Sequence, residues 1–130
     1  MKRILVVGTG SIGLRHLRLF GELENIQVEV FDSRPEGLAE ARQVKPDARQ
    51  WSNYGQALES KPHIVLIATP PSSHAPLTSL ALQAGAHVFC EKPMADTLES
   101  ARLMQQVQQQ TGRLLNIGFV QRFMPDRDHI

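Results

Sequence analysis

Cysteine is almost absent from this sequence: Cys90 is the single one among 130 residues. One cysteine cannot form an internal disulfide, and it argues against a cysteine-based metal site. The five histidines show no HxxxH or comparable metal-ligand spacing, so we expect no bound metal. Because Cys90 ends an apolar run, we expect a buried, inert thiol in a reduced, cytoplasmic setting, with a catalytic nucleophile as the alternative.

An excess of charge of one sign is also lacking. The 14 basic side chains nearly cancel the 13 acidic ones, and no run of Lys or Arg is long enough to follow a phosphate backbone. We therefore expect neither nucleic acid nor a membrane surface as a partner. The apolar runs are about as long as strands, too short to span a bilayer, and the first strand begins at Lys2, which leaves no room for a signal peptide.

What the sequence does contain is a regular alternation of strand and helix signals, which predicts one domain. Strands are predicted near residues 2–7, 26–31, 49–51, 63–68, 86–90 and 114–118. Helices are predicted near residues 11–22, 35–44, 53–59, 72–84 and 96–110. The strands are continuous apolar runs, as in sheets covered on both faces. The sequence therefore predicts an α/β fold, a doubly wound Rossmann sheet of about six mostly parallel strands with helices on both faces.

Two helices carry recognisable end signals. In the last helix, Asp96 and Glu99 fit a capping box, and Gly112 is placed to end the helix. Ser72 or Ser73 is predicted to cap the preceding helix.

The first strand runs directly into a glycine-rich turn that reads Gly-Thr-Gly-Ser-Ile-Gly. Gly8 would allow the tight turn, Gly10 would let the backbone approach a pyrophosphate, and Gly13 would let the following helix pack on the sheet. Ser11 and Ile12 stand at the start of that helix, where N–H groups and the positive dipole end would face the phosphates.

Asp32 ends the second apolar run, 19 positions beyond the last glycine of this turn. This context completes a dinucleotide-binding fingerprint. The carboxylate could accept hydrogen bonds from both hydroxyls of an adenosine ribose and would repel a 2′-phosphate, which favours NAD. Ser33 and Arg34 directly follow and could cradle such a phosphate, so NADP stays open. A glycine turn in a domain that binds no ligand is the alternative.

Three further polar loops follow predicted strands, at the edge of the sheet where ligands bind in folds of this kind. With the glycine turn, they resemble the N-terminal domain of the Gfo/Idh/MocA oxidoreductases, a family that includes glucose-fructose oxidoreductase and inositol dehydrogenase. The matching elements are GxGxxGxRH over residues 8–16, TPPSSH over 69–74, EKP over 91–93 and GFVQRF over 118–123. The resemblance implies hydride transfer between a nicotinamide cofactor and a hydroxyl or carbonyl of a sugar, cyclitol or sugar nucleotide.

The resemblance also implies roles for residues of these loops. Thr69 and Pro70 would flank the pyrophosphate and the nicotinamide ribose, with His74 close by. Glu91 would contact the nicotinamide ribose or ring. Lys92 would contact the cofactor and act as the catalytic residue at the substrate hydroxyl, assisting proton removal. A lysine in that role needs partial burial or a nearby positive charge, which favour its neutral form.

Plainer interpretations of these residues stay open. Lys92 could be a solvated surface lysine, and His74 a helix N-terminal residue without cofactor contact. The resemblance places Arg122 near the substrate, but a salt-bridge or interdomain role is equally open. His16 lies at the core-side spacing of the first helix and is predicted to pack as a supporting residue. The bond between Lys92 and Pro93 is hypothesised to be cis.

The resemblance breaks at Ile130, where family members continue into a second α/β domain that carries most of the substrate pocket and the oligomer contacts. We expect residues 1–118 to form the core of a dinucleotide-binding domain, and residues 119–130 to begin the connection to a second domain that this sequence lacks. The chain alone is expected to bind NAD(H) without turnover, within a parent enzyme that is a homo-oligomer. A stand-alone nucleotide-binding or redox-sensing module is the alternative function.

Overall fold

The computed structural model describes residues 1–118, so Arg122 and most of the GFVQRF motif lie outside the described residues. The strands are β1 (Lys2–Val7), β2 (Ile26–Phe31), β3 (Arg49–Trp51), β4 (Ile64–Ile67), β5 (His87–Glu91) and β6 (Leu115–Gly118). The helices are α1 (Ser11–Gly21), α2 (Pro35–Val44), α3 (Tyr54–Glu59), α4 (His74–Gln83) and α5 (Leu98–Thr111), with a short 3-10 helix over Pro71–Ser73.

The six strands form one sheet in the order β3-β2-β1-β4-β5-β6, and every neighbouring pair is parallel. The predicted doubly wound Rossmann sheet is thereby confirmed. The chain order reverses between β1 and β4, the place where such sheets open a crevice for ligands. Val7 pairs with Phe31 on one side and with Ile67 on the other, so β1, β2 and β4 end level with one another.

Alternate strand residues point to opposite faces of the sheet and build two apolar cores. On one face, α3, α4 and α5 cover a cluster that includes Leu5, Val65, Leu82, Val88 and Met104. On the other face, α1 and α2 cover a cluster that includes Ile4, Leu17, Val28, Ala41 and Leu66.

Cys90 belongs to the core beneath α4 and α5 and is fully buried, as its place at the end of an apolar run predicts. Burial raises the pKa of its thiol to about 11, which keeps it protonated and unreactive at neutral pH. No helix within residues 1–118 combines the length and apolarity needed to cross a bilayer. No three His, Cys, Asp or Glu side chains of this same range come together as a metal site.

Both predicted helix caps need correction. The N-cap of α5 is Thr97, whose Oγ1 accepts a hydrogen bond from the Ser100 N–H at 3.0 Å, so Asp96 lies one residue too early. Ser73 stands at the N-cap position of α4, one of the two predicted residues, but its side chain accepts no hydrogen bond from the helix. Its hydroxyl lies 2.8 Å from the Pro70 carbonyl oxygen, to which it donates. The predicted stop at Gly112 is confirmed by its left-handed φ of 70°.

Candidate cofactor-binding site

Backbone hydrogen bonds align the three loops that follow β1, β2 and β4. The Gly8 N–H donates to the Phe31 carbonyl at 2.9 Å, and the Ala68 N–H donates to the Val7 carbonyl at 2.8 Å. The glycine turn therefore lies between the loop that begins with Asp32 and the loop that begins with Ala68.

A cleft of ≈ 610 Å³ opens above these strand ends. It is lined by Gly8, Thr9, Gly10, Ser11, Ile12, Asp32, Ser33, Arg34, Ala68, Thr69 and Pro70. The structure thus brings together the predicted residues of the glycine turn, the β2 end and the start of the β4 loop. Gly13, His74, Glu91 and Lys92 do not line it.

The three glycines of the turn differ in what surrounds them. Gly8 has a left-handed φ of +101°, and a Cβ there would lie 2.6 Å from the Ala68 carbonyl oxygen. A Cβ on Gly13 would overlap the Gly8 carbonyl, because α1 packs directly on the turn. A Cβ on Gly10 would meet no atom within 4 Å, so this residue presents bare backbone to the open cleft.

The N-terminus of α1 faces the cleft at Ser11 and Ile12. No side chain caps this end, and the first turn of the helix contains no acidic residue. The first N–H groups of a helix have no partner within it, and the helix dipole places positive charge there. This end of α1 is therefore suited to an anion.

Asp32 is nearly buried beside the cleft and is held from two sides. Its Oδ2 accepts hydrogen bonds from the Thr9 N–H at 3.0 Å and the Thr9 hydroxyl at 2.6 Å. Its Oδ1 accepts from the Arg34 N–H at 2.8 Å and from Nε of the same residue at 3.2 Å. Burial by itself would raise the pKa of Asp32, but the hydrogen bonds from Thr9 and Arg34 outweigh it and hold the pKa below its ordinary value. Asp32 is therefore ionised at neutral pH.

Gly37 supports this arrangement from α2, and sequence reasoning missed it. A Cβ at this position would lie 2.8 Å from Cγ of Asp32 and would overlap the Thr9 hydroxyl. The helix can approach the carboxylate only because this residue has no side chain. A glycine inside the first turn of a predicted helix, where it costs stability, was the available signal.

A second cavity of ≈ 430 Å³ adjoins the cleft and shares Asp32, Thr69 and Pro70 with it. It is also lined by Phe31 and by Leu77 of α4, with other residues of the β4 loop and of α4. These apolar residues were also missed, because one belongs to a strand and the other to a helix, and only the fold brings them together.

His74 lies beneath the β4 loop and does not reach the cleft. Its ring is fully buried, with Nε2 at 2.7 Å from the Thr69 carbonyl oxygen and Nδ1 at 2.9 Å from that of Pro93. Both ring nitrogens are engaged by the protein. The structure therefore favours the interpretation without cofactor contact: this side chain connects the loop after β4 to the loop after β5.

The loop after β5 lies at the same edge of the sheet, one strand beyond the cleft. Glu91 is 4% exposed, and its Oε1 is 2.7 Å from Nε2 of His16 on α1, so His16 packs as a supporting residue, as predicted. Lys92 is exposed, so the partial burial expected for a catalytic lysine is not found in the described part of the chain. The bond between Lys92 and Pro93 is cis, as hypothesised.

The sequence of this chain matches a known protein family. The profile of Gfo/Idh/MocA, described as an oxidoreductase family with an NAD-binding Rossmann fold, matches residues 2–119. Inositol 2-dehydrogenase of Paracoccus denitrificans is 31% identical over 128 residues, which cover 95% of this chain and 38% of that protein.

Two solved structures are also similar. UDP-N-acetylglucosamine 3-dehydrogenase from Acidithiobacillus ferrooxidans has a TM-score of 0.87 and 29% identity, over 98% of this chain and 40% of the other. The WlbA dehydrogenase from Bordetella pertussis, in complex with NADH and UDP-GlcNAcA, has a TM-score of 0.88 and 26% identity, over 99% of this chain and 39% of the other. The chain thus spans about two fifths of the length of the proteins it matches.

Proposed function

Because the chain belongs to the Gfo/Idh/MocA oxidoreductase family through an NAD-binding Rossmann domain, we propose that its cleft binds the nicotinamide dinucleotide of a dehydrogenase, with NAD as the preferred form. One observation carries the proposal. An uncapped helix N-terminus and the ionised carboxylate of Asp32 line the same cleft. The first suits a pyrophosphate and the second suits the hydroxyls of an adenosine ribose.

The pyrophosphate is proposed to bind over Gly10, where no side chain occupies the approach to the backbone. Ser11 and Ile12 begin α1 at that point, so their N–H groups and the positive end of the helix would stabilise the phosphate charge. Thr69 and Pro70 of the β4 loop also line the cleft and would flank the pyrophosphate and the second ribose.

The adenosine is proposed to bind at the β2 end of the cleft. Asp32 lines both cavities, so a ribose bound to its carboxylate would leave the adenine facing the adjoining cavity. Phe31, Pro76 and Leu77 line that cavity, and apolar side chains of this kind suit the faces of a purine. Asp32, directly after β2, would therefore contact the ribose hydroxyls. Phe31 at the end of β2, with Pro76 and Leu77 of α4, would contact the adenine.

The nicotinamide end is proposed to point toward β5 and its loop. A nicotinamide held there would supply hydride chemistry, exchanging hydride with a substrate carbon that carries a hydroxyl or a carbonyl. Lys92, exposed at the end of β5, would exchange the substrate proton, and Glu91 would lie beside the ring or its ribose. Arg122 would add a positive charge near the substrate.

The proposed substrate class is a cyclitol, sugar or sugar nucleotide. The similar proteins include an inositol 2-dehydrogenase and a UDP-N-acetylglucosamine 3-dehydrogenase. The first is named for a cyclitol and the second for a sugar nucleotide. We propose that the chain alone binds cofactor without turning over such a substrate, since its cleft is lined by the cofactor loops and Lys92 lies outside it. A reducing, cytoplasmic setting is part of the proposal, supported by the buried free thiol of Cys90.

The experiment is a titration of the 130-residue chain with NADH, followed by cofactor fluorescence. Asp32→Asn removes the negative charge that would hold the ribose hydroxyls, and we expect NADH to bind roughly tenfold more weakly. Asp47→Asn is the matched control, because Asp47 is a surface carboxylate that pairs with Lys45 after the C-terminal end of α2 and does not line the cleft. It should leave NADH affinity unchanged.

Two outcomes would contradict the proposal. Absence of NADH binding by the unaltered chain would show that the cleft is not a cofactor site, and equal affinity of the two Asp variants would remove Asp32 from it. Turnover is measured separately, by NADH absorbance after mixing the chain with NAD and a panel of cyclitols and sugars. Steady NADH formation would overturn the statement that the chain alone is inactive.

A further inference from the structure

The ring of His74 faces carbonyl oxygens with both of its nitrogens. Nε2 lies 2.7 Å from the carbonyl oxygen of Thr69, and Nδ1 lies 2.9 Å from that of Pro93 and 3.3 Å from that of Met94. A carbonyl oxygen accepts hydrogen bonds and cannot donate one. Both ring nitrogens must therefore carry a proton for the contacts on both sides to be hydrogen bonds.

The number of protons on this ring decides how many loops it can hold. A neutral imidazole has one N–H, and its other nitrogen carries a lone pair. With one proton, the ring donates either to the loop after β4 or to the loop after β5, and the lone pair faces the other carbonyl oxygen. With two protons, the ring is an imidazolium that donates to both loops. Hydrogen bonds from a charged donor are also roughly twice as strong as neutral ones.

The burial of His74 makes the second proton matter. The side chain is fully buried, so water cannot satisfy a carbonyl oxygen or a lone pair that is left without a partner there. A buried polar group without a hydrogen bond destabilises the arrangement that contains it. The loop that receives no hydrogen bond is therefore free to shift away from the ring.

The loops that the ring contacts contribute few charges. The loop after β4, residues 68–73, contains no side chain that titrates near neutral pH. At the end of β5, the carboxylate of Glu91 is engaged by His16. Lys92 and Asp96 of the following loop are exposed to solvent. Within residues 1–118, the hydrogen-bond partners of the ring are thus carbonyl oxygens and include no carboxylate.

The core around α4 adds no other group that changes charge near neutral pH. Burial raises the pKa of the Cys90 thiol to about 11 and raises the pKa of the Tyr54 hydroxyl above its ordinary value of 10.0, so both side chains are uncharged. The side chains that α5 buries against this core are apolar, and its charged residues Glu99 and Arg102 are exposed. Among the described side chains buried around α4, His74 is therefore the one of a type that titrates between about pH 5 and 8.

We propose that His74 is a positioning residue that acts as a proton-dependent clamp. With one proton the ring holds one of the two loops, and a second proton, taken from solvent, closes the clamp on both. Thr69 lines the cofactor cleft, and Pro93 directly follows Lys92, so the closed clamp aligns the wall of the cleft with the loop that carries the proposed catalytic lysine. Cofactor binding should therefore tighten as the pH falls. This inference rests on the proposed function, because it requires that the cleft hold a nicotinamide dinucleotide.

The first test reads the protons on the ring. In the ¹⁵N-labelled 130-residue chain, long-range ¹H–¹⁵N NMR spectra distinguish protonated from unprotonated ring nitrogens. We expect His74 to show one unprotonated nitrogen at pH 8 and two protonated nitrogens at pH 5.5. One unprotonated nitrogen at both pH values, or two protonated nitrogens at both, would overturn the clamp. His74→Gln assigns the signals, and if that variant does not fold, glutamine substitution of the other four histidines assigns them by exclusion.

The second test compares the NADH affinity of the chain at pH 5.5 and pH 8, two values at which Asp32 is ionised. The unaltered chain should bind NADH roughly threefold more weakly at pH 8, because one loop loses its hydrogen bond. In His74→Gln the affinity should be the same at both pH values, since an amide forms hydrogen bonds without titrating. His87→Gln is the matched control: it replaces a histidine at the opposite end of β5 and should keep the pH dependence of the unaltered chain.

Three outcomes separate the alternatives, and circular dichroism confirms that each variant is folded. A pH dependence that persists in His74→Gln would overturn the clamp. One that disappears in His16→Gln and persists in His74→Gln would assign the effect to the pair of His16 and Glu91 instead. Absence of NADH binding at either pH would overturn the proposed function and leave the NMR result for His74 standing, so the two failures are distinguishable.

Discussion

Thr69 and Pro93 belong to loops that follow different strands, and the carbonyl oxygens of both lie within 2.9 Å of the ring nitrogens of His74. One buried side chain thus connects the wall of the cofactor cleft to the loop that carries Lys92. The two loops cannot shift independently while this ring is in place. An interior contact therefore links the positions of the two loops.

The first prediction concerns this connection. His74→Ala should lower the free energy of unfolding by about 2–4 kcal/mol, because it removes the ring's polar contacts with the Thr69 and Pro93 carbonyl oxygens and leaves a cavity in a fully buried position. NADH affinity should fall with it, since Thr69 loses its support. Urea unfolding and NADH titration measure the two effects. Leu80→Ala, at a half-exposed position on the same helix, is the control and should change neither by much.

The second prediction concerns His16 and Glu91, which join α1 to the end of β5 at 2.7 Å. Because the pair holds Glu91 in place, the losses of unfolding free energy in His16→Ala and Glu91→Gln should not be additive. The loss in the double variant should be smaller than the sum of the losses in the two single variants. We expect a coupling of about 1 kcal/mol, because the pair is partly buried. A double-mutant cycle by urea unfolding gives the value. Additivity within about 0.3 kcal/mol would mean that the two side chains act separately.

The third prediction is a pH dependence that originates at the amino end of the sheet. Partial desolvation, with the positive charges of Lys2 and Arg3, lowers the pKa of His63 below its ordinary value of 6.5. Its Nδ1 also accepts a hydrogen bond from the Arg3 N–H at 3.0 Å, which requires that nitrogen to be unprotonated. The folded state therefore favours the neutral ring. The contribution of His63 to stability is complete above the pKa that this residue has in the unfolded chain. It is lost as the pH falls from that value toward the lower pKa of the folded state.

This dependence is measured by comparing urea midpoints at pH 7.5 and pH 5, a range in which the lowered pKa of Asp32 has no effect because that carboxylate is ionised throughout. The unaltered chain should be less stable at the lower pH. His63→Gln should reduce the difference, since an amide keeps a hydrogen-bond acceptor without titrating. An unchanged difference in that variant would assign the pH dependence to other histidines.

Sequence patterns predicted the parts of this fold that depend on local chemistry. The alternation of strand and helix signals predicted all six strands, and the glycine spacing predicted the structural roles of Gly8 and Gly13. The α5 cap was missed by one residue, because Asp96 and Thr97 are both good caps and only the backbone geometry decides which oxygen reaches the Ser100 N–H.

The rest of the site depends on contacts between elements, which no local pattern specifies. The TPPSSH motif indicated that His74 lies near the cleft, but not that its ring turns inward. Arg34 was identified as a possible phosphate ligand, yet its fork against Asp32 is a matter of side-chain orientation. A sequence motif predicts which loop such a residue belongs to, whereas packing between elements determines the direction of its side chain.

The fourth prediction follows from the close approach of α2 to the carboxylate. Alanine is a better helix former than glycine by about 1 kcal/mol, so Gly37→Ala would stabilise an isolated helix. Here its Cβ would lie 2.8 Å from Cγ of Asp32, and overpacking of this kind costs about 1–3 kcal/mol. We therefore expect a net loss of stability and weaker NADH binding, because α2 must retreat or Asp32 must turn. Gly55→Ala in α3, where a Cβ meets only Asn53 Oδ1 at 3.3 Å, should cost less and leave NADH affinity unchanged. If Gly37→Ala bound NADH as well as the unaltered chain, the position of α2 would not control the carboxylate.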